Sequence, residues 1–309
     1  MSTDLKMGKN EWVLLLVLSV LWGGAFFFSK IALAEIPPFT LVFSRVLLAA
    51  GTLYVILRMS GQKLGLSAPL IGVFFGMGIL NNLIPFSLIF YGQTQIASGL
   101  ASILNATTPI FTVVVAHFLT RDERITAPKL VGIVLGVIGV AIMLGKDLAG
   151  GFSISGLAML ACLGAALSYA FAAVYGRRLR SMNVRPMVGA FGQVSASTVM
   201  MLPIMLLVDK PWTLAVPSAE IIWSILALGF LCTALAYVIF FRILDKGGAT
   251  NISLVTLLIP VSAILLGAGF LDERLSAAQF GGMALIGLGL VVLDGRMLGY
   301  LFGKTRFTT

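Results

Sequence analysis

Ten apolar stretches of about 20 residues follow one another along the chain, and no other feature constrains its fold as strongly. A stretch of ~20 apolar residues is long enough to cross ~30 Å of hydrocarbon as an α-helix. Backbone polar groups in lipid must be satisfied within the span, which favours helices, and the stretches lack the alternation of membrane-barrel strands. The predicted spans are 12–34, 39–58, 68–91, 98–119, 128–146, 154–176, 186–208, 220–242, 249–270 and 277–298.

The composition supports the same conclusion. Of the 309 residues, 59% are hydrophobic and 11% are charged, and the mean hydropathy is +1.05, whereas soluble domains carry about 25% charged residues. The first stretch, from Trp12 to about Ala34, is too long for the apolar region of a signal peptide, and no small-residue cleavage site follows it. We therefore expect a retained first helix and an all-α integral membrane protein surrounded by lipid.

The basic residues are distributed unevenly between the connections. With the N-terminus in the cytoplasm, 16 of the 21 Lys and Arg residues fall on the cytoplasmic side and only Lys146, Lys210 and Arg274 fall outside. The other two, Lys30 and Arg45, lie within spans. Cytoplasmic loops of membrane proteins carry such an excess. The distribution predicts both termini in the cytoplasm, and it explains the net charge of +9 without a nucleic-acid partner.

The chain repeats itself with a period of about 150 residues, or five spans. Superposing Pro109 on Pro260 aligns the fourth span with the ninth, and one residue of slip aligns Asp-Glu-Arg at 122–124 with Asp-Glu-Arg at 272–274. An odd number of helices inverts the second copy, and inverted repeats are typical of secondary transporters. We expect two inverted five-helix repeats around a central cavity, which the first four helices of each repeat line. The predicted units are 1–147 and 152–298, followed by a cytoplasmic tail at 299–309.

An ordered set of short motifs accompanies the repeat. The first span contains Trp22-Gly23-x-x-Phe26-x-x-x-Lys30, and Pro37-Pro38 and then Arg45 follow. Each half ends with a proline in its fourth span, a Glu-Arg turn and a Gly-rich last span. Across nearly the whole chain this set resembles the EamA-type family of the drug/metabolite transporter superfamily, and within it the YddG-type amino-acid exporters. The resemblance implies ten helices around a cavity, alternating access, and export of amino acids or similar metabolites from bacteria.

Polar residues recur every three or four positions along two spans, and these stripes are the first candidate site. They comprise Ser98, Ser102, Asn105, Thr108 and Thr112 in the fourth span, and Ala249, Ser253, Thr256, Pro260 and Ala263 in the ninth. Two related stripes predict two walls of one cavity, although small and hydroxylated residues also mediate helix packing in membranes.

Three prolines near the middle of spans are candidate kinks or hinges: Pro85, Pro109 and Pro260. Each lacks an N–H and removes one backbone hydrogen bond. We expect the freed carbonyls of the last two to face the cavity, with ordinary kinks as the alternative.

Further polar and aromatic candidates lie in the other spans. Asn81 and Asn82 are adjacent and point in different directions, so only one can face the cavity squarely, and Asn82 is the candidate. The remaining candidates are Trp22, Tyr91, Tyr169, Gln193, Thr233 and Tyr237. For each aromatic residue, simple packing is the alternative.

Lys30 and Arg45 are basic residues about two turns inside the predicted outer face. An ionisable residue at such depth indicates function, and here the hypothesis is attraction of a substrate carboxylate. The alternative is snorkelling toward the interface, helped for Lys30 by a contact with Glu35. Gln193 occupies the position of Arg45 in the second half, so any role of Arg45 is not two-fold.

Catalytic and metal-binding patterns are missing from the sequence. No Asp or Glu lies at the middle of a span, and the single histidine, His117, lies near a cytoplasmic helix end. Neither His-Glu-x-x-His nor Gly-x-Ser-x-Gly occurs, and Cys162 and Cys232 have no metal-ligand spacing. The sequence therefore predicts no enzyme, no cofactor and no metal.

Together these features predict a bacterial inner-membrane carrier that exports small molecules by alternating access. An apolar cavity with scattered amides and hydroxyls suits amino acids with apolar or aromatic side chains and related small metabolites. A multidrug or toxic-compound exporter of the same fold is the alternative.

Overall fold

A computed structural model of the chain describes residues 8–62, 64–149 and 153–294, without the side chains of 146–149, 247 and 249–251. Within these ranges every regular element is a helix. Nine of the described helices are long and apolar enough to cross a membrane, and a tenth apolar helix has 16 residues. This part of the chain is therefore an all-helical, multi-pass membrane protein. The predicted tail at 299–309 lies outside the described residues.

The helices follow the predicted spans closely at most boundaries. In chain order they are α1 Lys9–Ala32, α2 Pro38–Met59, α3 Ala68–Gln93, α4 Ser98–Leu119, α5 Ala127–Ala149, α6 Ile154–Ser181, α7 Pro186–Asp209, α8 Ala219–Lys246, α9 Val255–Phe270 and α10 Ala277–Asp294.

The predicted ninth span, 249–270, begins later than expected as a continuous helix. Gly248 has φ 78° and ψ 167°, a backbone conformation that glycine adopts without steric cost. A short helical segment ends at Ile252, and α9 starts at Val255 after a two-residue turn. The apolar stretch is therefore continuous in sequence but divided in the fold.

Carboxylates from the connections hold the first turns of neighbouring helices. Asp209 accepts hydrogen bonds from the backbone N of Thr40 at 2.6 Å and from its hydroxyl at 2.8 Å. Glu35 accepts from the backbone N of Ser218 at 2.8 Å. Negative charge is favourable at a helix N-terminus, where backbone N–H groups lack partners. These contacts join α2 to α7 and α8 to the end of α1.

α5 and α10 pack against each other through glycines. A Cβ atom on Gly132 would lie 2.6 Å from Gly289 O, and one on Gly139 would lie 2.7 Å from Gly282 O. Only glycine permits backbones to approach this closely, as is common between membrane helices. The last helices of the two halves therefore form one pair.

The three mid-span prolines interrupt helices in different ways. Pro85 lies two residues after a π-helical segment of α3, Ile79–Leu83, Pro109 lies two residues after a break in α4 at 106–107, and Pro260 lies inside α9. The carbonyl of Asn105, which would accept from a residue 109 N–H, accepts instead from Thr108 Oγ1 at 2.7 Å. The expected free carbonyl is therefore satisfied by a neighbouring hydroxyl.

Candidate functional site

A cavity of about 1190 Å³ lies between α1, α2, α3, α4, α6, α7, α8 and α9. Among the described residues, no side chain of α5 or α10 lines it. Eight aromatic residues contribute to its walls: Trp22, Phe26, Phe86, Phe90, Tyr169, Tyr237, Phe240 and Phe241. Concave, mainly apolar sites with a few polar groups are typical of small-molecule binding.

Arg45 of α2 is the buried charge in this cavity, with 8% of its surface exposed. Its Nε donates to Thr233 Oγ1 at 2.9 Å, and that hydroxyl donates in turn to Leu228 O at 2.7 Å. The guanidinium carbon lies 3.9 Å from the ring centre of Phe86 and 5.9 Å from that of Phe90. No carboxylate of the described residues forms an ion pair with it. The guanidinium is thus held in place from one side and lacks a protein anion.

A cluster of two amides and one phenol is formed by α3, α7 and α8. Asn81 Nδ2 donates to Gln193 Oε1 at 3.1 Å and to the Tyr237 hydroxyl at 3.3 Å, and Gln193 Nε2 also donates to that hydroxyl at 3.3 Å. All three residues line the cavity. Because the Tyr237 oxygen accepts twice, its own O–H remains available to donate toward the cavity.

Asn82 does not line the cavity; its neighbour Asn81 does. Asn82 is fully buried, and its Nδ2 donates to Ser197 Oγ of α7 at 3.0 Å. Both residues lie in the π-helical segment Ile79–Leu83, where an extra residue per turn rotates the side chains that follow. The two adjacent amides do face different directions, and Asn81 is the one in the cavity wall.

The polar stripe on α4 divides between the cavity and other partners. Ser102, Asn105 and Thr108 line the cavity. Ser98 is instead bound to Glu273, at 2.7 Å between its hydroxyl and Oε2. Thr112 donates to the carbonyl of Thr108 at 2.8 Å and does not line the cavity.

The second stripe shows the same division. Ser253 and Thr256 line the cavity. Pro260 and Ala263 are buried against other helices and do not line it. The side chain of Ala249 lies outside those described. Each half therefore supplies one short polar segment, next to the break in its proline-containing helix.

Lys30 lies outside the cavity lining. Its Nζ donates to Gln93 O at 2.7 Å and to Ile96 O at 3.0 Å, at the end of α3. The alternative contact with Glu35 is not formed, because Glu35 binds the first turn of α8. Lys30 thus satisfies carbonyls at a helix C-terminus, where a positive charge is favourable.

The aromatic candidates separate in the same way. Trp22 and Tyr169 line the cavity, and the Trp22 ring centre lies 5.5 Å from that of Phe240. Tyr91 is 49% exposed and does not line the cavity. Its place near the end of α3 gave no indication of which face it occupies.

The cavity opens toward the α6–α7 connection and the end of α8. Arg180, Arg185 and Asp245 line it there, and all three are exposed. Apart from Arg45, these are the charged residues among its described lining. A ligand therefore passes exposed charges at the opening before it meets the buried Arg45.

Sequence reasoning missed several cavity residues, above all Asn81, Phe86 and Phe240. Phe86 is the ring on which Arg45 lies, and it follows Pro85 directly. An aromatic residue in an apolar span carries no signal of its own, so only the packing identifies it. No group of three His, Cys, Asp or Glu suited to a metal occurs among the described residues.

A family model for the EamA-like transporter family matches this chain twice, over residues 10–145 and 156–293. Each match spans five of the helices described above.

Several relatives are similar over almost their whole length. The Uncharacterized transporter YoaV of Bacillus subtilis (strain 168) is 30% identical over 285 residues, covering 90% of this chain and 95% of that protein. A Probable amino-acid metabolite efflux pump of Escherichia coli (strain K12) is 28% identical over 297 residues, covering 93% and 95%. The Uncharacterized inner membrane transporter YedA of the same strain is 30% identical over 284 residues, covering 90% and 89%.

A solved crystal structure of a protein superposes with a TM-score of 0.65 and 19% sequence identity, covering 97% of this chain and all of that one. At that identity the likeness concerns the fold alone.

Proposed function

The chain belongs to the EamA-like transporter family, and on that premise we propose that it exports amino acids with apolar or aromatic side chains, and related small metabolites. Members of this family are membrane transporters and not enzymes. The 28% identity to a protein named as a probable amino-acid metabolite efflux pump supports this class of substrate.

The observation that carries the proposal is the position of Arg45. It is a buried guanidinium in a large cavity with several aromatic residues in its walls, and no carboxylate of the described residues is paired with it. Arginine binds a carboxylate through two parallel N–H groups. The carboxylate of an amino acid therefore binds Arg45, while its apolar side chain packs among the aromatic walls.

Polar groups around the cavity complete the proposed site. Gln193 and Tyr237, together with Asn81, offer hydrogen bonds from one side. Asn105 and Thr256 contribute from the two broken helices. Scattered neutral groups of this kind suit a small polar head on an apolar molecule, and they would leave the phosphate groups of a sugar phosphate with too few cations.

We further propose that the two matched segments are inverted five-helix repeats around a central cavity, with units 1–147 and 152–298. The aligned prolines Pro109 and Pro260 each lie a few residues after a two-residue interruption, at 106–107 and at 253–254, which supports the repeat. The two units rock or gate about the site in alternating access. The excess of basic residues in alternate connections supports an orientation with both termini in the cytoplasm, and in that orientation the described opening near Arg180 and Arg185 faces the cytoplasm.

Counterflow in proteoliposomes tests the proposed function. Vesicles loaded with unlabelled phenylalanine, with no ion gradient, are expected to take up labelled phenylalanine faster than vesicles that are not loaded. This uptake is expected to saturate. The Arg45→Gln variant is expected to lose uptake, and Arg242→Gln, an exposed arginine outside the cavity lining, serves as the matched control. A folded protein that moves no amino acid of an apolar and aromatic panel contradicts the proposal and favours the multidrug alternative.

A further inference from the structure

The charges that a bound ligand meets are unbalanced in this cavity. Arg45 is buried, lines the cavity and uses only its Nε in a hydrogen bond among the described residues, so Nη1 and Nη2 have no acceptor there. Asp245, the acidic residue of the described lining, is exposed at the opening together with Arg180 and Arg185. The inner part of the site therefore has one fixed positive charge and no fixed negative charge.

The hydrogen-bond acceptors available to a ligand nitrogen are neutral. Asn81 and Asn105 line the cavity, and neither amide oxygen accepts a hydrogen bond among the described residues, although Asn105 Oδ1 is itself buried. An amide oxygen can accept from an uncharged amide N–H as well as from an ammonium N–H, and the bond from the ammonium is the stronger of the two. The amide oxygen does not neutralise the ammonium charge as a carboxylate would.

We propose that the cavity selects carboxylates that carry a single negative charge and an uncharged nitrogen, such as N-acylated amino acids, in preference to free zwitterionic amino acids. The proposal rests on the function given above and names the preferred substrate class of the same site. A monoanion at Arg45 makes the buried complex neutral. A zwitterion adds its own ammonium and leaves the complex with one positive charge, which is costly to bury without a partner.

The dimensions and the walls of the cavity fit such a ligand. Its volume of about 1190 Å³ is above the ~300–1,000 Å³ typical of sites for drug-sized ligands, and it exceeds what a free amino acid fills. The aromatic residues around Arg45 offer apolar surface to an acyl chain and to a side chain together. An added acyl group therefore gains contacts without crowding the carboxylate.

Three probes with one side chain and different charges test the inference. They are N-acetyl-phenylalanine, phenylalanine and phenylalaninamide, which at neutral pH are an anion, a zwitterion and a cation. Each is titrated as an inhibitor of labelled phenylalanine counterflow, and labelled N-acetyl-phenylalanine uptake is measured directly. We expect N-acetyl-phenylalanine to inhibit at a concentration about tenfold below that of phenylalanine, a difference of about 1.4 kcal/mol, and phenylalaninamide to inhibit weakly or not at all.

Two substitutions of Arg45 test whether the preference for the anion depends on the charge of this residue. Arg45→Lys retains the positive charge without the two-pronged guanidinium, so it should bind all probes more weakly and keep their order. Arg45→Gln removes the charge, and because this variant is expected to lose uptake, its binding of the three probes is measured as a shift of its melting temperature in detergent. The preference for the anion should then be abolished, and retention of the full order in folded Arg45→Gln protein overturns the assignment to this residue.

Failure of the inference differs visibly from failure of the proposed function. If phenylalanine is transported and N-acetyl-phenylalanine neither inhibits nor enters, the preference for an uncharged nitrogen is wrong while amino-acid transport stands. If neither compound is transported by folded protein, the proposed function fails and the inference fails with it.

Discussion

The Asp-Glu-Arg sequence occurs in two turns of the chain, and the two glutamates have different partners. Glu273, between α9 and α10, accepts from the backbone N of Ser98 at 2.8 Å, from its hydroxyl at 2.7 Å and from the backbone N of Gly99 at 3.3 Å. Glu123, between α4 and α5, forms an exposed ion pair with Arg177. One turn is thus fixed to a helix backbone, and the other is held by a side chain in solvent.

The comparison teaches that a repeated motif does not carry a repeated contact. The Glu273 contact closes the end of the molecule away from the cavity opening, because it joins the α9–α10 turn to the first turn of α4. The Arg177 pair lies on the side where the cavity is open. In the alternating access proposed above, we expect the backbone contact to break when the cavity opens at the other end.

The largest difference is expected between Glu273→Gln and Glu123→Gln. The amide must point its NH2 at either Ser98 or Gly99, so Glu273→Gln loses a charge-assisted hydrogen bond, of ~1.5–3 kcal/mol. Glu123→Gln weakens only an exposed pair and should change stability little. Thermal unfolding of the two purified variants in detergent measures the difference. Equal melting temperatures would show that the two turns are energetically equivalent.

A smaller difference of the same kind is expected for Lys30→Met and Arg177→Met. Lys30 Nζ binds two carbonyls at the end of α3, and methionine of similar length leaves both without a donor. We expect a loss of ~1–2 kcal/mol for Lys30→Met and little change for Arg177→Met. Unfolding in detergent again measures both. A larger loss of stability in Arg177→Met would indicate that the exposed ion pair of Arg177 stabilises the fold more than the hydrogen bonds of Lys30 do.

Gly267→Ala tests the space around Glu273. A Cβ at this position would overlap Glu273 Oε2 and would lie 3.0 Å from Ser98 Oγ. The overpacking should lower the stability of the fold by ~1–3 kcal/mol, and the better helix propensity of alanine should offset part of this cost. We therefore expect a net loss of stability of about 1 kcal/mol. Gly269→Ala, in the same helix with nothing within 4 Å, is the matched control.

A double variant tests whether Gly267→Ala acts through Glu273. In a Glu273→Gln background, Gly267→Ala should cost less than in the unchanged protein, because both changes disturb one contact. Strictly additive losses would place the effect of Gly267→Ala elsewhere in α9.

The smallest effect is expected from protonation of Asp122, in the exposed turn between α4 and α5. Hydrogen bonds from its own backbone N–H and from the Thr120 hydroxyl, followed by Arg177, lower the pKa of Asp122 below its usual range. A depressed folded-state pKa stabilises the fold above the unfolded pKa, and this contribution is lost as the pH falls through the folded pKa. Asp122→Asn should therefore lower the melting temperature slightly at pH 7 and not at all at strongly acidic pH. A loss as large as that of Glu273→Gln would contradict the comparison.

The cavity residues that could be predicted from the sequence are polar residues within otherwise apolar helices. Ser102, Asn105 and Thr256 stand out in sequence because polar residues are costly in lipid, and all three line the cavity. Arg45 stands out for the same reason. Lys30 carried the same signal, yet its amine binds carbonyls of α3, because a long flexible side chain reaches partners that its position does not reveal.

The sequence by itself determined that this chain crosses a membrane many times and belongs to a transporter family, because span length and hydropathy are set by the bilayer. Only the tertiary structure decided which side chains meet. In the π-helical segment Ile79–Leu83, Asn81 and not Asn82 lines the cavity. The break before Val255 divides the predicted ninth span. Such features depend on how a backbone fits its neighbours, which the periodicity of one helix does not contain.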